Sequence, residues 1–130
     1  MKTKVLLLTI LLVATMCMVN ARDKKIQGTW KLVNEQLDKE GGTQIKLITP
    51  THFMWMMYDK AGKIHGGATG TYTAKDNTYV ETLLTHDEPV NEMKAVYEYK
   101  IHGKTMTIKG YLEREGVKVT NINEVWLKID

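Results

Sequence analysis

The side chain that most constrains what this chain can do is Glu81, in the run Tyr79-Val-Glu81-Thr-Leu83. Residues two apart in an extended segment share a face, so Glu81 lies with Tyr79 and Leu83 on a side that should be apolar. A carboxylate buried there without a partner costs several kcal/mol. Tyr72, Tyr97 and Tyr99, on the inward faces of neighbouring segments, are placed to offer it hydroxyl donors. Together these groups can hold the polar head of a small ligand, or form a satisfied structural network. In a dry cavity the same carboxylate and tyrosines can move a proton, as a cyclase or isomerase requires. A second group is Phe53, Trp55 and Met57, alternating with Met54, Met56 and Tyr58, so both faces of one segment are apolar. Either a loop or partner covers its outer side, or it forms an adhesive patch.

Other chemistries lack their residues. His52, His65, His86 and His102 stand 13, 21 and 16 residues apart, without the paired spacing of a metal site. No metal and no cofactor are expected; His52, beside Phe53 at a strand start, is the one histidine whose setting would suit a haem. Asp87-Glu88 and Glu113/Glu115 fall at turns as solvated charge, which leaves a two-carboxylate hydrolase unsupported. The chain contains no serine and no glycine-rich phosphate loop.

The first 21 residues stand apart. Lys2 and Lys4 precede an apolar run from Val5 to Ala14, and Val19 and Ala21 frame a cut before Arg22, the three-part layout of a cleaved secretory signal. The run is too short and too interrupted, by Thr9 and Thr15, for the roughly 20 apolar residues of a membrane span. Met16 before Cys17 is bulkier than the residue a lipid-attachment signal places there. The 130-residue chain carries a formal charge of +3 and one cysteine; without the leader, its two lysines and Cys17, a domain of 109 residues remains, with charge +1 and no thiol. That excludes a disulfide scaffold, a thiolate metal site and a cysteine nucleophile. It also removes the electrostatic footprint of a nucleic-acid binder. The mature protein is expected in the periplasm or outside the cell, with no membrane span; the pattern fixes no oligomeric state.

What positions Glu81 and the aromatic residues is a series of strands. From Gln27 onward apolar residues recur with period two, and no stretch sustains a helical period. Strands are expected near 26–36, 44–49, 52–59, 63–74, 78–86, 93–102, 105–114 and 117–129. Tight turns fall at Asp59–Gly62, Lys75–Thr78, His102–Lys104 and Arg114–Gly116. Asp38–Gly42 reads as a loop or one helical turn. In the sixth strand Ala95, Tyr97, Tyr99 and Ile101 oppose Lys94, Glu98 and Lys100, so one face is wet. In the fourth, Gly66, Ala68 and Gly70 line the inner side, marking a bend or leaving open volume. Eight short strands with one wet face and no covering helices must bury the other face against itself. An up-and-down barrel does so, with an interior filled by side chains or just large enough for one small ligand.

Gly28-Thr29-Trp30-Lys31-Leu32, Ile48-Thr-Pro-Thr-His-Phe-Met-Trp55, Tyr58-Asp59, Gly70-Thr71-Tyr72-Thr73, Tyr79-Val-Glu81 and Glu124-Val-Trp126 resemble the short exported lipocalin-like domains of uncharacterised function found in Gram-negative bacteria. The resemblance runs from about Gln27 to Asp130 and implies an all-β, eight-stranded antiparallel up-and-down lipocalin-like (calycin) barrel over residues 22–130. It implies structural roles for Trp30, at the closed end, and for Lys128, the base that would stack on it. The expected function is non-catalytic binding of a small, partly apolar molecule inside the barrel, with Phe53, Trp55, Tyr72, Tyr79, Glu81, Tyr97 and Tyr99 as ligand-binding residues. The alternative is an exported interaction module whose barrel is filled and whose surface contacts a protein or glycan.

Overall fold

A computed structural model describes residues 22–130; the expected signal segment, 1–21, lies outside the described residues. The period-two pattern resolves into β1 (Gly28–Leu32), β2 (Thr43–Ile48), β3 (His52–Tyr58), β4 (Ile64–Lys75), β5 (Thr78–His86), β6 (Met93–His102), β7 (Thr105–Arg114) and β8 (Val117–Lys128). Each strand is antiparallel to its neighbours in sequence, and β8 returns to β1, so the sheet is a closed up-and-down barrel. The closing seam is short, Trp30–Leu32 against Trp126–Lys128, so the first half of β8 is paired on its β7 side only. Two hairpins turn on two-residue loops with positive φ at both positions, Asp76 (53°) with Asn77 (62°) and Glu115 (51°) with Gly116 (77°). That geometry matches the twist of the strands it joins.

The first expected strand, 26–36, is shorter in the structure and flanked by helical turns. Asp23 accepts a hydrogen bond from the Lys25 N–H (3.0 Å) and caps a 3-10 turn, Lys24–Ile26. At the other end, the Asn34 side chain accepts from the Leu37 N–H (3.0 Å) and starts a short helix, α1 (Glu35–Lys39). Asparagine is among the preferred N-cap residues, and here it overrides the continuation of the strand. The turn expected at 38–42 therefore begins earlier.

Inward-facing residues form one core. Ile26, Trp30, Phe53, Tyr72, Tyr79, Met106, Ile108 and Trp126 are almost wholly buried. One end of the barrel is sealed. The indole N–H of Trp30 donates to the Ile26 carbonyl (2.8 Å), and the ammonium of Lys128, directly across from Trp30 in the β1–β8 register, lies 5.5 Å from its ring centroid. Asp23 ties the same end together, accepting from the Tyr99 hydroxyl (2.8 Å) while its N–H donates to the Ala74 carbonyl (3.0 Å).

The small residues of β4 are a bend, and their space is used. The β4–β5 register shifts between Thr69 and Gly70, leaving Leu84 as an extra residue on β5. A Cβ at Gly70 would collide with the Thr82 carbonyl and the Phe53 ring. Gly66 faces the Trp55 indole at ordinary contact distance. Bare backbone in β4 thus accommodates aromatic rings from β3, while the bulge adds the curvature that closure needs. On the outside of β3, Met54 pairs with Leu47 and Met56 with Ile45, and all four are half-buried. Among the described residues no helix is long and apolar enough to cross a membrane.

Candidate functional site

The partner Glu81 requires is Lys46. Alternation along β2 turns Lys46 and Ile48 inward, and the β2–β3 register sets Lys46 beside Trp55. Its Nζ lies 2.6 Å from Glu81 Oε1, and the two residues are 2% and 3% exposed. Desolvating two charges costs several kcal/mol per ion, which mutual attraction offsets only when further partners satisfy both groups. Both are satisfied here. The Tyr79 hydroxyl donates to Glu81 Oε1 (2.6 Å) and that of Tyr97 to Oε2 at a longer 3.4 Å. Around the ammonium stand the rings of Trp126, Tyr79, Tyr97 and Phe53, with centroids at 5.1, 5.6, 5.7 and 5.9 Å. Each such face attracts a desolvated cation by about 0.5–2 kcal/mol. Burial, and next the Glu81 carboxylate, hold the Tyr79 and Tyr97 hydroxyls protonated well above the ordinary phenol range.

Above this pair the barrel is hollow. A cavity of about 290 Å³ opens toward the end opposite Trp30, with Lys46, Glu81 and Tyr97 at its floor. Its walls include the apolar side chains of Trp55, Leu83, Leu112, Ile122 and Trp126. The polar members of the wall are Gln44, His86, Thr120 and Glu124. Glu124 Oε2 accepts from the indole N–H of Trp126 (2.9 Å), and His86 Nδ1 lies 2.8 Å from Asp87 Oδ1. The His86 and Trp55 rings meet edge to face, their centroids 6.1 Å apart.

Of the residues expected to form a binding site, Trp55, Glu81 and Tyr97 line this cavity. The other four do not. Phe53 and Tyr79 lie beneath its floor against the Lys46 ammonium. Tyr72 and Tyr99 do not donate to Glu81: the Tyr72 hydroxyl donates to the Thr49 carbonyl (2.6 Å) and that of Tyr99 to Asp23. Tyr72 also lies under the Arg22 guanidinium, 5.3 Å from its ring centroid. Burial raises the pKa of both hydroxyls, for Tyr99 reinforced by the Asp23 hydrogen bond. These two tyrosines belong to the sealed end. Trp30 and Lys128 are there as well.

Three residues of the site carry weaker sequence signals. Lys46 shares a face with Gln44 and Ile48, while Ile45 and Leu47 make the opposite face the more apolar one, so alternation alone would turn Lys46 outward. Glu124 is two residues from Trp126 and shares its face, a signal present in the closing motif. His86 is different, because strict alternation from Glu81 puts it outside. The extra residue in β5 reverses the phase and returns His86 to the interior, opposite Ala68. His52 lies at the rim with its Nδ1 2.7 Å from the Thr51 hydroxyl, and His65 Nε2 is 2.8 Å from Asp59 on the outer surface. Among the described residues no three His, Cys, Asp or Glu side chains converge to hold a metal ion.

No curated protein and no solved structure matches the chain. One family model does, over residues 25–130, which is the barrel from its 3-10 turn to the last residue. That match spans nearly all of the described residues, and the chain belongs to the domain of unknown function family DUF4488.

Proposed function

We propose that this is an exported, lipocalin-like protein that binds a small, partly apolar molecule non-covalently inside the barrel. The observation that carries the proposal is the cavity of about 290 Å³, apolar on its walls and ionic at its floor. Small-molecule sites have this make-up, mostly hydrophobic and aromatic with few fixed polar groups, and start at roughly 300 Å³. The floor is preorganised, since Lys46, Glu81 and Tyr79 are locked by mutual hydrogen bonds before any ligand arrives. A surface module with a filled barrel would leave this cavity without a use; the outer patch of Ile45, Leu47, Met54 and Met56 is the feature in that reading's favour.

Native mass spectrometry of protein purified from its own host tests the proposal. A mass excess that disappears on denaturation is expected for the wild type. Thr120→Trp, at an exposed position on the cavity wall, should fold normally and lose it. A ligand-free wild type, or an adduct that survives the plug unchanged, overturns the proposal. N-terminal sequencing of the exported protein is expected to begin at Arg22; a start at a modified Cys17 would overturn cleavage after Ala21.

A further inference from the structure

The ionisable groups around the cavity do not cancel, and the imbalance identifies the ligand's charge. Four lining residues besides the protonated Tyr97 can carry charge: Lys46, Glu81, His86 and Glu124. Lys46 and Glu81 neutralise one another at 2.6 Å. His86 is held by Asp87, a carboxylate outside the lining. Glu124 is left over. Among the described residues no Lys, Arg or His nitrogen lies within ion-pair distance of it, and its one side-chain hydrogen bond, from Trp126, engages Oε2 alone. Two carboxylates thus face one ammonium, and that ammonium is enclosed by four aromatic rings.

We infer that the molecule bound here is a small organic cation, an amine whose ammonium sits against Glu124 and whose apolar body lies between Trp55, Ile122 and Leu112. The inference rests on the binding proposal above. A carboxylate ligand would bring a third negative charge beside Glu81 and Glu124, with Lys46, the lysine that lines the cavity, already committed. A neutral ligand would strip water from Glu124 and return no countercharge, a desolvation cost with no offset. An ammonium supplies both the charge and donors for Oε1, and the Trp55 indole lining the same cavity is available to attract it further. The cavity's size suits a single-ring or short-chain amine and not a long-chain lipid.

Isothermal titration calorimetry with three probes of one shape, 2-phenylethylamine, 2-phenylethanol and 3-phenylpropanoate, separates the possibilities at neutral pH. The amine is expected to bind about tenfold or more tightly than the alcohol, with the carboxylate weakest. Glu124→Gln keeps an oxygen for the Trp126 N–H, so the barrel is retained, and the amine's advantage over the alcohol should vanish while the alcohol's own affinity changes little. An alcohol or carboxylate that binds as well as the amine, or an advantage that survives Glu124→Gln, overturns the cationic ligand and leaves the binding barrel standing. If none of the three gives heat beyond that of the Thr120→Trp plug, the cationic ligand is overturned, and the native mass of the host-purified protein decides separately whether the barrel binds.

Discussion

Removing the Lys46 ammonium would leave Glu81 nearly 97% out of water with two phenols and no countercharge, because its exposure is only 3%. Loss of one member of a buried pair typically costs about 3–5 kcal/mol, whereas replacing both with apolar side chains of similar volume is often close to neutral. Lys46→Met and Glu81→Leu should therefore each lower the urea midpoint strongly, and the double variant should lie well above the sum of the two losses. Additive losses in that cycle would mean the two side chains do not act as a pair. The tyrosines make a separate prediction about alkali. Tyr79 and Tyr97 ionise near pH 10 in the unfolded chain, but burial and Glu81 raise both in the fold. Above about pH 10 the unfolded state holds fewer protons, so stability is complete below that pH and falls as pH rises beyond it. Each tyrosine contributes about 1.4 kcal/mol per pH unit to this slope, and Tyr97→Phe should remove one such share in urea titrations between pH 9 and 12. The sequence made Glu81 legible as a buried acid needing a partner, and Tyr97 as one donor. It did not make Lys46 legible, because orientation in β2 comes from pairing with β3, a long-range fact that a short strand with apolar residues on both faces does not encode.

Strands are better determined than their ends. β2 through β8 fall within one residue of their expected limits, since alternation and turn residues act locally and agree with each other. β1 is the exception, and Asn34 explains it: a side chain that can cap a helix competes with an extended backbone, and α1 prevails. The bulge in β5 is the other local event that alternation misses, and it brings His86 inside. The hairpin loops carry a stability prediction. Glu115 occupies a left-handed conformation, φ 51°, in the loop between β7 and β8. A non-glycine residue there is disfavoured by roughly 1–2 kcal/mol, least so for asparagine. Glu115→Asn should raise the melting temperature, by a stabilisation of about 0.5–1 kcal/mol; an unchanged or lower value would show that the glutamate side chain contributes something the turn geometry does not reveal. Gly110 has no such tolerance. A Cβ at this position would run into the Val96 carbonyl, which is how β7 comes so close to β6.

Across the whole molecule the barrel divides into a sealed half, built on Trp30, Ile26 and the Asp23–Tyr99 contact, and a hollow half above Lys46 and Glu81. Binding in the hollow half stabilises the whole fold by mass action, about 2.7 kcal/mol at a free ligand concentration 100 times Kd. A saturating amine should therefore raise the melting temperature of the wild type and leave Thr120→Trp unmoved; an equal rise in both would place binding outside the cavity. The same division has an optical consequence. The chain has three tryptophans. Trp55 and Trp126 line the cavity, while Trp30 is buried at the far end beneath Lys128. Two indoles are thus positioned to change emission as the cavity fills, and the third supplies a constant background. Occupancy can be followed by the protein's own fluorescence, with no dye attached and with an internal reference placed by the fold.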